Sequence, residues 1–263
     1  TSIDRVLQFH VINIGTTGTN TITPNGISLP RIINRITGGV WQLLGALTLT
    51  GAAGLDWLLS TGTFDTNGQT FTTTQMSSAD EGGTLTLGAS TVNITGVTGW
   101  YSSNMTLNAN TSTINLTYAA GDTSNITLGA KTFNNMTISA GGAGVINFTG
   151  ATNNTFNVFT INAPKSVRFA STRTQTFTSF VADGSLGNVI TIDASVAASA
   201  ATLSDAAGTN AVTYVSLQDS TATGGASWTV ANGTNVSGNT GWTFLVAGGG
   251  STTTSTAMLV GVG

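Results

Sequence analysis

The carboxylate side chains are the first residues to consider, because paired acids could cleave a glycan by acid–base chemistry. The chain has ten acidic residues, and its one glutamate, Glu81, directly follows Asp80 in the segment SSADEGG. Two carboxylates that cleave a glycosidic bond stand about 5–10 Å apart on either side of it. Neighbouring residues of a strand point to opposite faces. We therefore interpret Asp80 and Glu81 as solvated charges of a turn.

Four further aspartates recur at intervals of 10 to 14 residues, near predicted corners of the chain: Asp183, Asp193, Asp205 and Asp219. A row of carboxylates along one edge could bind calcium or contact a sugar. An aspartate at a corner more commonly accepts hydrogen bonds from the backbone of its own turn. We expect turn roles, and we predict no metal and no cofactor.

Other groups that enzymes use are scarce. The one histidine, His10, has no acidic or serine-bearing motif around it, and there is no cysteine. The absence of cysteine excludes disulfides and cysteine-ligated zinc. Seven Lys and Arg against ten acids give a net charge of −3, without the basic stripe that neutralises phosphates. We predict a non-enzymatic protein that does not bind nucleic acid.

The composition favours strands over helices. Only 6% of residues are charged, whereas the chain contains 51 threonines, 24 serines, 23 asparagines and 34 glycines. These residue types are poor helix formers, and threonine favours strands. The longest uncharged apolar stretch, between Arg35 and Asp56, is interrupted by Gln42, three threonines and several glycines. We therefore predict an all-β chain without a membrane span.

Short alternating segments recur about every 21 residues. The clearest are TLTLGAST, NMTLNANT, NITLGAKT and VINFTGAT, which begin at residues 84, 104, 125 and 145. One such unit cannot bury its own apolar face, whereas units stacked in parallel form a continuous core. We predict a single-stranded parallel β-helix (a β-solenoid) with coils of about 21 residues. A β-sandwich with evenly spaced strands is the alternative.

The repeats also predict an interior column and a division of the chain. The second apolar residue of each repeat is predicted to lie in one column: Leu87, Leu107, Leu128, Phe148, Phe169 and Ile192. We assign an N-terminal arm to residues 1–39 and the solenoid to 40–203. Aromatic residues concentrate in 204–246, which we predict to cap the solenoid. Residues 247–263 form a flexible linker and an apolar tail.

The segment GTFDTNGQTFT, the TLTLGAST-type coils and the ending YVSLQDSTATGGASW…NTGWTF together resemble β-solenoid proteins of phage virions and bacterial cell surfaces. The resemblance covers roughly residues 60–246. It implies a tail-fibre, spike or adhesin shaft built from coils of low charge. No catalytic motif accompanies it.

Both ends of the chain carry apolar segments that need a partner. The segment IDRVLQFHVINI fits either a helix or a strand, and its apolar side could cover the first coil or a neighbouring subunit. The segment AMLVGV near the C-terminus could add a strand to another subunit or be a frayed end. The predicted assembly residues are Ile3, Val6, Leu7, Phe9, Val11, Ile14, Met258, Leu259 and Val260.

Ten N-x-S/T sequons are candidate glycosylation sites, although an alternating N-x-T pattern is also typical of a polar strand face. They are Asn93, Asn104, Asn110, Asn115, Asn125, Asn135, Asn147, Asn153, Asn232 and Asn235.

These observations lead to three hypotheses. The first is a structural subunit of a virion (a fibre, spike or decoration protein) that assembles with copies of itself and with other virion proteins. The second is an exported cell-surface filament or adhesin subunit joined by terminal exchange. The third is a solenoid that binds or cleaves surface glycans, with Trp100, Tyr101, Trp228 and Trp242 as stacking residues. Core or cap packing is the alternative role of these aromatics.

Overall fold

The structure is a computed structural model. It describes residues 18–29, 32–51, 57–78, 82–96, 99–101, 104–117, 121, 123–139 and 144–245. The described residues form strands and turns, with no helix among them. The first strands are β1 (Thr19–Ile22), β2 (Ser28–Leu29), β3 (Ile32–Leu43), β4 (Leu47–Leu49), β5 (Trp57–Asp65), β6 (Phe71–Thr73), β7 (Met76–Ser78), β8 (Thr84–Thr86), β9 (Thr91–Ile94), β10 (Trp100–Tyr101), β11 (Thr106–Asn108), β12 (Thr113–Leu116) and β13 (Thr123–Ile126). The others are β14 (Thr132–Ile138), β15 (Val145–Phe148), β16 (Asn154–Asn162), β17 (Ser166–Phe169), β18 (Thr174–Asp183), β19 (Ile190–Ala194), β20 (Ala201–Asp205), β21 (Thr209–Thr213), β22 (Val215–Gln218), β23 (Ser220–Gly224), β24 (Ser227–Ala231), β25 (Thr234–Ser237) and β26 (Thr243–Leu245).

The strands stack into three parallel sheets. Sheet A contains β1, β3, β5, β7, β8, β10 and β11, and sheet C contains β13, β15, β17, β19, β22 and β25. Sheet B runs the length of the molecule, from β2 to β26. Partners lie one coil apart, as for Asn93 and Asn115, which are 22 residues apart. The predicted parallel β-helix is confirmed, with coils of about 22 residues.

Alternation within each strand sends apolar side chains inward and polar side chains outward. In β12 the buried residues are Ile114 and Leu116, and the half-buried residues that face out are Thr113 and Asn115. The longer strands break this alternation once, as in β16, where two consecutive residues face outward before burial resumes at Phe159. Such a break bends the strand, so that one strand covers two sides of the coil.

Stacked phenylalanine rings fill the middle of the core. Neighbouring coils place the same residue type one above another in three columns, which are Phe133–Phe156–Phe177, Phe148–Phe169 and Phe159–Phe180. The ring centroids within these columns are 5.3 to 6.0 Å apart, and the planes are within 16° of parallel. This spacing suits offset stacking, which adds to the gain from burial alone.

The residues of the predicted interior column lie in the core but not in a single column. Leu107 is half-buried against the core, and the other five are buried. Leu107 does not pair with Leu87 but with the residue two positions earlier. A shift of two residues keeps an apolar side chain pointing inward while it changes the column. The observed pairs are Leu85 with Leu107, Ile126 with Phe148, and Val167 with Ile192.

The strand ladders of the solenoid continue into the described parts of the predicted arm and the predicted cap. The described part of residues 1–39 contributes coil strands, since Thr19 pairs with Val40 and Ser28 with Thr48. The predicted cap also continues the same ladders through β24 and β26. The coils of the cap are shorter than the coil before them. Asp183 and its partner Thr213 are 30 residues apart, whereas Thr209 and its partner Ser227 are 18 residues apart. The tail of residues 247–263 lies outside the described residues.

One coil is longer than its neighbours because it carries two tight turns. Ser185 pairs with Asn188 and Val196 with Ser199, on either side of β19. The turns project sideways from the solenoid, and Leu186 at the tip of the first is 86% exposed. Length is therefore added at corners, where it leaves the stacking of the core unchanged.

Replacing Phe159 tests the aromatic core. This ring is fully buried and contacts five other phenylalanines. We expect Phe159→Ala to lower the free energy of unfolding by about 3–5 kcal/mol because it leaves a cavity. The matched control Thr160→Ala, on the outer face of the same strand, should cost less than about 1 kcal/mol. Chemical denaturation measures both; equal losses would contradict the stacked core.

Candidate binding surfaces

Several of the predicted functional residues lie outside the described residues. All nine predicted assembly residues do so: Ile3, Val6, Leu7, Phe9, Val11, Ile14, Met258, Leu259 and Val260. His10, Asp80 and Glu81 also lie outside that part of the chain. Their roles stay predictions.

Three of the four recurring aspartates accept hydrogen bonds from a neighbouring coil, and two of them, Asp193 and Asp219, line the same pocket. Asp205 accepts from Asn210 Nδ2 at 2.9 Å, and Asp219 accepts from the backbone N–H of Ala198 at 2.8 Å. Asp183 accepts from the hydroxyl of Thr213 at 3.2 Å. Among the described residues, no three acidic or histidine side chains come close enough to hold a metal ion. The aspartates thus fix turns and neighbouring strands.

Most of the candidate stacking aromatics pack inside the protein. Trp100 is fully buried and meets Phe133 edge-on at 5.6 Å. Trp228 is buried against Phe180, and Trp242 packs on Trp228 with ring centroids 5.0 Å apart. Only Tyr101 of the four is substantially exposed, at 50%. The tryptophans therefore end the aromatic columns and do not form a sugar-stacking platform.

The sequon asparagines differ in exposure, and some of them form side-chain ladders between coils. Asn115 Nδ2 donates to Asn93 Oδ1, and Asn147 Nδ2 donates to Asn125 Oδ1, each at 2.9 Å. The half-buried sequon residues are Asn93, Asn115, Asn135 and Asn147. The exposed ones are Asn104, Asn110, Asn125, Asn153, Asn232 and Asn235. Exposure favours this second set as acceptors for a glycan.

The outer face of sheet B has a central column without charged side chains. Its central column passes through eight successive strands, from Ser28 through Thr48, Thr72, Asn93, Asn115, Thr137 and Thr160 to Val181. At about 4.8 Å per strand the column is roughly 34 Å long. No residue of this column carries a charge, and amide or hydroxyl contacts join some of its neighbours, such as Asn93 and Thr72 at 3.3 Å.

Sheet C carries the one ion pair among the described residues. Arg168 Nε donates to both carboxylate oxygens of Asp193, at 3.1 and 3.2 Å. The pair lines a small polar pocket of about 280 Å³ together with Gln218 and Asp219. Burial raises the pKa of Asp193 above its ordinary value, and the charge of Asp219 raises it further. The hydrogen bond and charge of Arg168 oppose that rise.

A larger groove lies beside β14 and β16, at the level where the strand ladder through β8 and β11 ends. Its volume is about 510 Å³, and uncharged residues line it. A short sequence repeat marks this groove, although the 21-residue period alone does not identify it. The repeat is TFN at Thr132 and at Thr155, and TFT at Thr176. Each triplet places an inward phenylalanine between two residues that face outward.

Comparison of the chain with known proteins gives no functional assignment. No protein-family model, no curated protein and no solved structure matches it. Among the described residues there is also no helix long and apolar enough to cross a membrane.

The titration of Asp193 tests the electrostatics of the smaller pocket. The folded chain holds the proton of Asp193 more tightly than the unfolded chain does. Its contribution to stability is therefore present below the ordinary pKa and is lost as the pH rises through the folded-state pKa. By NMR titration we expect a pKa above 3.8, higher still in Arg168→Gln and lower in Asp219→Asn. A pKa that neither variant moves would contradict this assignment.

Proposed function

We propose that the chain is a non-catalytic structural subunit of a virion, a fibre, spike or decoration protein that assembles with copies of itself. One observation carries the proposal: the apolar core extends to both ends of the described solenoid. Ile22 and Leu29 in the first coil, and Trp242 and Phe244 in the last, pack against the core yet stay only partly buried. Partly exposed apolar side chains at the end of a solenoid favour the stacking of a further coil, because that coil removes them from water.

The edges of the sheets support contact between ends. Among the described strands, β2 pairs only with β4 and β26 only with β24, so each keeps one free edge. Both strands belong to sheet B, whose strands all run in the same direction. A second copy could therefore place its β2 beside β26 without reversing direction. Such a head-to-tail contact does not close, and it generates a filament.

The apolar segments at the chain termini fit the same proposal. The assembly residues predicted near residues 3–14 and 258–260 would supply additional apolar side chains at the junction between copies. An exported cell-surface filament or adhesin is the second candidate, since it needs the same end-to-end contact. Electron microscopy of the native source distinguishes these two candidates, because it shows either a particle or a cell-bound filament.

Charged substitutions at the two ends test the assembly. Ile27 in the first coil is 63% exposed, and Leu245 in the last is 50% exposed. We expect Ile27→Lys and Leu245→Lys each to abolish rods longer than one solenoid, because lysine at a sheet edge opposes strand addition. Sedimentation velocity and negative-stain microscopy of the full chain measure rod length.

Leu186→Lys is the matched control, because Leu186 is an exposed leucine on a lateral turn. It should leave the rods unchanged. Deleting residues 1–14 or 247–263 should also shorten the assemblies while the solenoid stays folded. A full-length chain that is monomeric at all concentrations, or rods that only the control variant disrupts, would overturn the proposal.

A further inference from the structure

The groove beside β14 and β16 originates from a change in the shape of the coils. Strands β8 and β11 stack on each other, with Leu85 opposite Leu107. In the described part of the next coil no strand lies on β11, which pairs only with β8. That step leaves Leu107 half-buried beside a groove of about 510 Å³. The volume is within the usual range for a small-ligand site.

The walls of the groove repeat from coil to coil. Thr132 pairs with Thr155, and the phenylalanines that follow them pair as well. The same position in the next coil belongs to Thr176, which does not line the groove, whereas Thr178, two residues later, does. Neighbouring strands lie about 4.8 Å apart, so equivalent hydroxyls recur at that spacing along the solenoid axis.

The polar groups of the groove are held in place but retain capacity for a ligand. Asn134 Nδ2 donates to the backbone oxygen of Ser112 at 3.1 Å. Asn157 Nδ2 lies 3.4 Å from the side-chain oxygen of Asn134, which leaves the carbonyl oxygen of Asn157 as an acceptor. The exposed hydroxyls of Thr132, Thr155 and Thr178 form no hydrogen bond with another described residue. Each hydroxyl can both donate and accept.

We propose that this groove binds an uncharged oligosaccharide. The lining carries no charge, so it offers no charged side chain to pair with a phosphate, a carboxylate or an amine. Hydroxyl and amide groups match the mixed donors and acceptors of sugar hydroxyls. Leu107 and Ala109 supply an apolar wall for the C–H surface of a sugar ring.

An extended peptide added to the free edge of β11 is the competing occupant. That edge is three residues long, which allows few main-chain hydrogen bonds. The hydroxyl and amide groups on β14 and β16 would then have no role. The geometry therefore favours the saccharide. This inference is independent of the proposed assembly, since the groove lies on the side of the solenoid and not at its ends.

Saturation-transfer NMR on the full chain tests the proposal with defined probes. The neutral probes are hexasaccharides of glucose (α- and β-linked), mannose and N-acetylglucosamine. Oligogalacturonate is the acidic probe and a heptapeptide of valine and threonine is the strand probe. We expect at least one neutral hexasaccharide to bind. The double variant Thr155→Val/Asn157→Val should weaken it at least tenfold, with an unchanged melting temperature.

The matched control is Thr160→Val, which removes a hydroxyl of the same strand on the outer face of sheet B, away from the groove lining. It should leave the dissociation constant within twofold of the original. The proposal is overturned if no neutral hexasaccharide binds at millimolar concentration, or if only the acidic or peptide probe binds. It is also overturned if the control variant weakens binding as much as the double variant does.

Discussion

The contact between equivalent inward side chains of successive coils is the interaction on which this structure depends. A single coil of about 22 residues has no second layer to cover its apolar side. Stacking solves this because each coil covers the next, and the backbone bonds between coils fix the register. The rings of Phe148 and Phe169, 5.3 Å apart, show how closely side chains follow the strand spacing. Burial and hydrogen bonding therefore stabilise the same arrangement.

The same spacing explains the outer surface. Side chains of neighbouring coils lie directly opposite each other, so a repeated charge would face its like across about 5 Å, which is destabilising. Asparagine and threonine avoid this and can hydrogen-bond along the column, as Asn115 does to Asn93. Where charges do occur in register, as at Arg168 and Asp193, they have opposite sign. Stacking thus favours uncharged outer side chains over repeated like charges, and such surfaces suit neutral partners.

The sequence predicts the architecture better than the register or the sites. Alternating residues around Ile114 or Ile146 identify inward positions, and their recurrence identifies the coil. Alternation cannot distinguish Leu85 from Leu87, because both point inward and differ only in column. The short, polar strands β1 and β2 show too few apolar residues to be recognised alone. The groove depends on where the ladder of β11 ends, and only the three-dimensional stacking defines that position.

Distances along the outer column of sheet B test the stacking most directly. Spin labels at Thr48 and Thr137 should be about 19 Å apart, and labels at Thr48 and Val181 about 29 Å, because each strand adds about 4.8 Å. Thr48 is separated from these residues by four and six successive strand pairings. Double electron–electron resonance on the folded chain measures both distances. We predict that the distance between labels grows by one strand spacing for each coil between them. Distances that do not increase with the number of coils would contradict the solenoid.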